Sequence, residues 1–149
     1  MRLRDFFGDD SVKLRLEGRT PEAVLRELVA LLHLSPDQAE ALVKSLLRRE
    51  SLGSTGVGRG IAIPHCRSPG VSRVRLAFGH QPEGVDFHAI DGKPVHHFFL
   101  IVAPPDEGGL YLQVLGRIAQ FGKEPDVPER LCALTEPAEF FGLLDERGV

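Results

Sequence analysis

The stretch Glu50-Ser-Leu-Gly-Ser-Thr-Gly-Val-Gly-Arg-Gly-Ile-Ala-Ile-Pro-His65-Cys66 decides how this chain is organised. It places four glycines within eight residues, just before a short apolar run that ends at Pro64 and His65. Glycine tolerates positive φ and lets backbone amides converge, so the loop is predicted to cradle an anion such as phosphate, with hydroxyl donors from its Ser-Thr pair. Residues 61–63 are predicted to form a buried strand, and Pro64, with fixed φ and no N–H, suits its end. His65 would then project from a rigid edge beside the loop.

The glycine pattern does not match the common nucleotide-binding motifs. A dinucleotide fingerprint needs G-x-G-x-x-G opening a helix after a strand, and a P-loop needs Gly-Lys-Ser/Thr. Here the glycines precede a strand. The residues before them, Arg48-Arg49-Glu50, end a predicted helix and deliver two cations to the start of the loop.

Length and composition predict a single domain over residues 1–149, because 42% hydrophobic content is enough for one sizeable core. The 21 acidic residues outnumber the 18 basic ones, so a nucleic-acid partner is not expected.

The N-terminus has no apolar signal region and no long apolar run exists, which predicts a cytoplasmic protein without membrane insertion. The two cysteines, Cys66 and Cys132, are predicted to be reduced thiols, and no CxxC pair suggests structural zinc. No metal and no other cofactor is expected.

Alternation and apolar runs predict three longer strands. Val12–Leu16 and Val71–Phe78 alternate apolar and polar residues, as half-buried strands do. Val95–Ala103 is almost continuously apolar, which is typical of a central strand buried on both faces. The segment 81–94, rich in Gly, Pro and Asp, is predicted to be a long loop.

Helical spacing and capping residues predict five helices. Thr20-Pro21 and Ser35-Pro36 are N-cap signals before two amphipathic helices, the first ending near His33 and the second at Glu50. Further helices are predicted over 110–122, 127–134 and 135–144, the last capped by Thr135. The order of strand, two helices, a strand-rich middle and then helices predicts an α/β fold (α+β in some schemes) with a mixed sheet covered on both faces.

Three segments together resemble a known family. Leu46–Glu50, Ser54–Gly58 and Gly60–His65 resemble the enzyme IIA domains of the bacterial phosphoenolpyruvate:sugar phosphotransferase system, of the fructose/mannitol and nitrogen-regulatory type. The similarity continues through Phe87, Asp91-Gly92 and Pro94-Val95 into the C-terminal helices. It implies a three-layer α/β/α sandwich with a mixed central sheet. It also implies a His that accepts a phosphoryl group from a histidine-containing phosphocarrier protein and donates it to a IIB cysteine, or that controls a regulated target protein.

The candidate site residues are His65, Arg49, Thr55 and Tyr111. The resemblance makes His65 the phosphoryl acceptor and Arg49 the active-site arginine. Neutral imidazole, with an ordinary pKa of about 6.5, is a good nucleophile near pH 7. Phosphoryl transfer otherwise requires positioning and neutralisation of the equatorial oxygens, for which Arg49, Thr55 and the loop amides are suitable donors.

The chain departs from the family pattern at two positions. Cys66 follows the Pro-His pair where the family commonly has Gly, and it is predicted to fill a tight turn. Tyr111 stands where family members typically have a second active-site His, which favours a regulator over a fast relay. A metal module using His65, Cys66 and another His is a weaker alternative, since no pair has the short spacing of structural zinc sites.

The other histidines are predicted to have structural or surface positions. His33 is expected to cap or pack at a helix end, and His80 and His88 to lie on surface loops. His96 and His97 must face opposite sides of their strand, so at most one could join His65.

Overall fold

Val95–Ala103 forms the central strand, β6, because its apolar residues can be buried on both faces of a sheet. Eight of its nine residues are buried, and only His96 is partly exposed. The strand pairs antiparallel with one neighbour and parallel with two others. The predicted central strand is therefore confirmed.

The structure, a computed structural model, describes all of residues 1–149 as a mixed six-stranded sheet with five helices. The sheet order is β1-β5-β6-β3-β2, and β4 pairs with β6 further along the edge that β3 occupies. Two short 3₁₀ turns lie at Leu3–Phe6 and Pro105–Glu107. The elements are β1 Phe7–Lys13, α1 Pro21–Ala30, α2 Pro36–Ser51, β2 Gly56–Gly58, β3 Ile61–Ala62, β4 His65–Arg67, β5 Arg75–Val85, β6 Val95–Ala103, α3 Gly108–Gly122, α4 Val127–Cys132 and α5 Pro137–Glu146.

Two hydrophobic cores lie on opposite faces of the sheet. Side chains alternate along a strand, so Phe98, Leu100 and Val102 of β6 face one core, together with α1 and α2. Phe99 and Ile101 face the other core, together with α3, α4 and α5. The result is the predicted three-layer α/β/α sandwich.

The first two predicted helix caps are confirmed. Thr20 Oγ1 accepts from the Ala23 amide at 3.2 Å, and Ser35 Oγ accepts from the Gln38 amide at 3.3 Å. The prediction for Thr135 is wrong, because α5 begins at Pro137.

The Thr135 hydroxyl donates to Glu139 instead of accepting from a helix amide. The Glu139 carboxylate accepts from the Thr135 hydroxyl and from the amides of Thr135 and Glu136. Glu136 is therefore the N-cap residue, and the bond from its amide to Glu139, three residues later, is one half of a capping box.

Two strand boundaries differ from the prediction because strands end where their partners end. β1 lies earlier in the chain than the predicted 12–16, since its pairing with β5 begins at Phe7. β5 begins at Arg75 and extends to Val85, into the predicted loop 81–94, because Val85 pairs with Val95 of β6. Pro82 falls at an irregularity in this pairing, where a missing N–H is tolerated.

None of the five helices combines the length and apolarity that crossing a membrane requires.

Candidate active site

The glycine-rich stretch forms a hairpin between β2 and β3. Gly58, Arg59 and Gly60 have φ of 94°, 60° and 78°, so the turn needs positive φ at three successive residues. Gly56 is required for a different reason: a Cβ there would lie 2.8 Å from the Cβ of Ala89. The glycines therefore make a tight turn and a close packing contact.

Three amides of this loop already have side-chain acceptors. Thr55 N donates to Glu50 Oε2 at 3.0 Å, Gly56 N to Ser54 Oγ at 2.9 Å, and Arg59 N to Asp91 Oδ2 at 3.0 Å. The predicted anion cradle does not form from these three amides, because side chains near the loop have taken their hydrogen bonds.

The C-terminal end of α2 holds the start of the loop through two neighbouring side chains. Arg49 Nη1 donates to the Gly53 carbonyl at 2.7 Å. The Glu50 carboxylate accepts from the amide and from the hydroxyl of Thr55, which is 4% exposed. Burial raises the pKa of Glu50, while its two bonds with Thr55 and the charge of Arg49 oppose the rise. The Thr55 hydroxyl thus faces Glu50, a residue that the sequence analysis did not assign to the site.

His65 begins β4, and one hydrogen bond defines its tautomer. His65 Nδ1 lies 2.6 Å from the Ile63 carbonyl oxygen. A carbonyl can only accept, so Nδ1 carries the proton and the lone pair is on Nε2. The backbone therefore presents the imidazole with Nε2 as its nucleophilic nitrogen.

The surroundings of His65 keep the imidazole neutral. Burial lowers its pKa most, the bond to the Ile63 carbonyl opposes this, and the positive charge of Arg49 lowers it further. Arg49 thus acts electrostatically on His65 from α2, which packs against β4. A neutral imidazole beside a guanidinium combines a nucleophile with a group that attracts an anion.

Tyr111 lies on the first turn of α3 with its ring against the second core. It is 8% exposed, and its ring centroid is 6.1 Å from that of His65. Burial raises the pKa of Tyr111 to about 12, with Arg67 and Arg49 opposing the rise. The phenol is therefore neutral near pH 7 and can donate one hydrogen bond.

The two residues after His65 point in opposite directions. Cys66 packs against the core formed with α1 and α2, within a strand and not in the predicted tight turn. Burial raises the pKa of its thiol to about 12, so it is not a thiolate near neutral pH. Arg67 is exposed, and its Cζ lies 6.0 Å from the Tyr111 ring centroid.

The histidines outside the site differ in part from their predicted positions. His33 is exposed at φ 54°, with Nε2 3.4 Å from Asp10 Oδ2, and His88 is exposed as predicted. The surface prediction for His80 is wrong. His80 lies half-buried because β5 extends past the predicted end at Phe78 and pairs His80 with His97, whose Nδ1 is 3.1 Å from His80 Nδ1.

No group of three or more His, Cys, Asp or Glu side chains is placed to hold a metal ion. Of the four candidate residues, the structure brings the rings of His65 and Tyr111 together, places the charge of Arg49 where it acts on both, and turns Thr55 toward Glu50.

Comparison with known proteins identifies the family of this chain. Residues 5–147 match the family model described as "Phosphoenolpyruvate-dependent sugar phosphotransferase system, EIIA 2". The chain belongs to this family. Family members take part in phosphoryl transfer, and the chain is a IIA-type phosphocarrier of the type 2 group.

One relative comes from a multicomponent sugar system. The fructose-specific EIIABC component of the phosphotransferase system of Bacillus subtilis is 32% identical over 133 residues. That match covers 88% of this chain but only 21% of the relative, so this chain spans about a fifth of its length.

Two solved structures share the fold. The nitrogen regulatory protein IIA-Ntr of Neisseria meningitidis is 31% identical with a TM-score of 0.86, covering 94% of this chain and 97% of that one. Enzyme IIA mannitol of Escherichia coli, solved in complex with phosphorylated enzyme IIB mannitol, is 26% identical with a TM-score of 0.76. That match covers 95% of this chain and 99% of the solved one.

Proposed function

We propose that residues 1–149 act as one phosphocarrier domain that accepts a phosphoryl group on His65 Nε2 from a histidine-containing phosphocarrier protein and passes it to a IIB cysteine. The observation that carries this proposal is the 2.6 Å contact between His65 Nδ1 and the Ile63 carbonyl. It leaves Nε2 as the nitrogen that can attack phosphorus.

The proposed transfer balances without a cofactor. The Nε2 lone pair forms a bond to phosphorus as the P–N bond of the carrier breaks, and the electron pair of that bond stays on the carrier imidazole. His65 keeps its Nδ1 proton, so the phosphorylated ring is cationic and the Ile63 carbonyl accepts from it. In onward transfer a IIB thiolate attacks phosphorus, and the P–Nε2 electron pair returns to His65.

The remaining candidate residues have distinct roles in this proposal. Arg49 binds the phosphoryl oxygens with the part of its guanidinium that does not donate to the Gly53 carbonyl. Tyr111 donates a hydrogen bond from its phenolic hydroxyl to a phosphoryl oxygen. Thr55, bonded to Glu50, holds the loop start in place.

A second candidate function is control of partner proteins by the phosphorylation state of His65. Tyr111 favours it, because this neutral buried phenol stands where the family resemblance implies a second active-site His for fast onward transfer. The similarity to a nitrogen regulatory protein, with a TM-score of 0.86, also supports it.

The test uses a phosphorylated histidine-containing phosphocarrier protein as donor. We expect the parent to gain one acid-labile, base-stable phosphoryl group and the His65→Ala variant to gain none, while the exposed-surface control His88→Ala labels like the parent. Coupling between phosphorus and the ring nitrogens in nuclear magnetic resonance spectra should locate the group on Nε2. Retention of the same label by His65→Ala would refute the acceptor role.

A second step separates the two functions. Label that passes to the cysteine of a fructose- or mannitol-type IIB domain supports a sugar relay. Label that stays on His65 in the presence of IIB supports regulation.

A further inference from the structure

Arg67 is a basic side chain beside His65 that the fold itself does not use. Several other surface arginines pair with carboxylates, among them Arg26 with Glu40 and Arg130 with Glu146. Arg67 is exposed and makes no ion pair and no hydrogen bond, and its one aromatic contact is with Tyr111. The guanidinium is therefore free to meet an anion.

Strand geometry puts Arg67 on the same side of the sheet as His65. Residues two apart on a strand share a face and lie about 7 Å apart. The pairing with β6 agrees, because His65 lies beside Ile101 and Arg67 beside Ala103, two residues of the same core. Both side chains thus lie on the α3 side of the sheet.

Tyr111 and Gly108 define where the guanidinium lies. Its Cζ is 6.0 Å from the Tyr111 ring centroid, and that ring is 6.1 Å from the ring of His65. A Cβ at Gly108 would be 3.2 Å from Arg67 Nη1, so the first residue of α3 leaves room for the guanidinium. The phenol therefore connects the cation to the nucleophile along one surface.

The position is not one that helix electrostatics would select. A cation at the start of a helix meets the positive end of its dipole, which opposes it. Glu107, at the N-cap of α3, does not pair with Arg67 either. What the position offers is a second positive charge near His65, on the α3 side of the sheet, in addition to Arg49 at the end of α2.

We propose that Arg67 is a further catalytic residue of this site, binding the phosphoryl oxygens from the α3 side of the sheet during transfer to His65 Nε2. This rests on the proposed acceptor role of His65. Two guanidiniums would neutralise more of the charge spread over the three equatorial oxygens than Arg49 alone. Tyr111 holds the Arg67 guanidinium through its ring and keeps its hydroxyl for the same phosphoryl group.

The experiment uses potassium phosphoramidate as donor, so that no protein partner has to dock. The Nε2 lone pair attacks phosphorus, the P–N bond breaks, and ammonia leaves with the electron pair. We expect Arg67→Gln to slow labelling of His65 at least about tenfold, the loss expected for one charge-assisted contact in the transition state. Arg73→Gln is the matched control, since Arg73 is exposed and losing it removes the same charge.

Chemical rescue separates a contact with phosphate from a structural effect. Because Arg67 is exposed, free guanidinium ions should restore a large part of the labelling rate of Arg67→Ala, while sodium at the same ionic strength should not. The thermal midpoint of Arg67→Ala should stay close to that of the parent. A slow variant that guanidinium does not rescue would assign Arg67 a structural role and overturn the proposal.

The outcomes also distinguish this proposal from the acceptor role. A parent protein that gains no label on His65 from either donor, phosphoramidate or the phosphorylated carrier protein, overturns both proposals. A labelled parent together with an Arg67→Gln variant that labels at the parental rate overturns only the role of Arg67. A defect seen with the protein carrier but absent with phosphoramidate assigns Arg67 to docking and overturns its contact with the phosphoryl group.

Discussion

Arg49 makes one contact that a lysine could copy and offers a second that a lysine could not. Its Nη1 donates to the Gly53 carbonyl, and this is the one contact that a lysine could also make. The planar guanidinium of Arg49 has further N–H groups that can bind phosphoryl oxygens while Nη1 remains bonded to Gly53. We predict that Arg49→Lys slows single-turnover phosphorylation of His65 at least about tenfold, corresponding to about 1.4 kcal/mol of transition-state stabilisation.

The control for Arg49 is its neighbour. Arg48 is exposed at the same helix end, so Arg48→Lys should phosphorylate at the parental rate. Equal rates for Arg49→Lys and the parent would remove Arg49 from the site.

Substitutions of Tyr111 test whether phosphorylation of His65 needs the hydroxyl of this residue or only its ring. Its ring packs in the second core, so Tyr111→Phe should keep the packing and the stability. If the phenol donates to the phosphoryl group, Tyr111→Phe should slow phosphorylation several-fold, in line with the loss of one hydrogen bond of about 1 kcal/mol. Tyr111→His should be at least as active as the parent. A parental rate for Tyr111→Phe would leave the residue with a packing role alone.

At the scale of elements, the hairpin of β2 and β3 depends on one packing contact with the chain that follows β5. A Cβ at position 56 would lie 2.8 Å from the Ala89 Cβ and 2.9 Å from the Ala89 Cα, and the Ile90 amide donates to the Gly56 carbonyl at 3.2 Å. We predict that Gly56→Ala lowers the free energy of unfolding by about 1–3 kcal/mol, as overpacking does. Urea unfolding monitored by circular dichroism measures the change.

Two further variants check the cause of that loss. Gly116→Ala places its Cβ in open space on an exposed helix position of α3, so it should stabilise the protein by about 0.5–1 kcal/mol. Adding Ala89→Gly to Gly56→Ala should recover part of the loss, because it removes the nearer contact. Independent, additive effects at positions 56 and 89 would speak against the packing contact.

At the scale of the whole molecule, a buried histidine couples stability to pH. His97 is 2% exposed between β5 and α4, near His80 and Cys132. Burial lowers the pKa of His97 to about 3, the charges of His80 and His96 lower it further, and the Pro128 carbonyl opposes the shift. The folded state therefore keeps His97 neutral at a pH where the unfolded chain is protonated.

The sign of the effect follows from proton counting. Above about pH 6.5 His97 is neutral in both states, and stability is full. Between about pH 6.5 and the folded pKa of about 3, the unfolded state binds one more proton, so stability falls as pH falls, by up to about 1.4 kcal/mol per pH unit. Urea unfolding between pH 7 and pH 5 should show this loss.

The comparison variants isolate His97. His97→Asn should show a shallower loss than the parent over the same pH range, while the exposed control His88→Asn should follow the parent. His65 and His80 also have lowered pKa values and contribute in the same direction, so the slope should decrease without vanishing. An unchanged slope in His97→Asn would contradict the assignment.

The sequence by itself determined the features that depend on neighbours along the chain. The caps of α1 and α2 follow from Thr20 and Ser35, because a cap bonds an amide three residues away. β6 follows from its continuous apolar run, and the family follows from the segments leading to Pro64 and His65. The Pro-His pair even sets the tautomer locally, since Nδ1 bonds the carbonyl two residues earlier.

Only the tertiary structure decided the features that need a partner far along the chain. Glycine content suggested an anion cradle, but the Glu50 and Asp91 carboxylates accept hydrogen bonds from amides of that loop. Gly56 is required because Ala89, more than thirty residues later, lies too close for a Cβ. β5 extends to Val85 because β6 supplies its partner. Arg67 reaches Tyr111 only because α3 begins beside β4. Hydrogen bonds and close contacts between distant segments leave no periodic signal in either segment, so no local pattern could have predicted them.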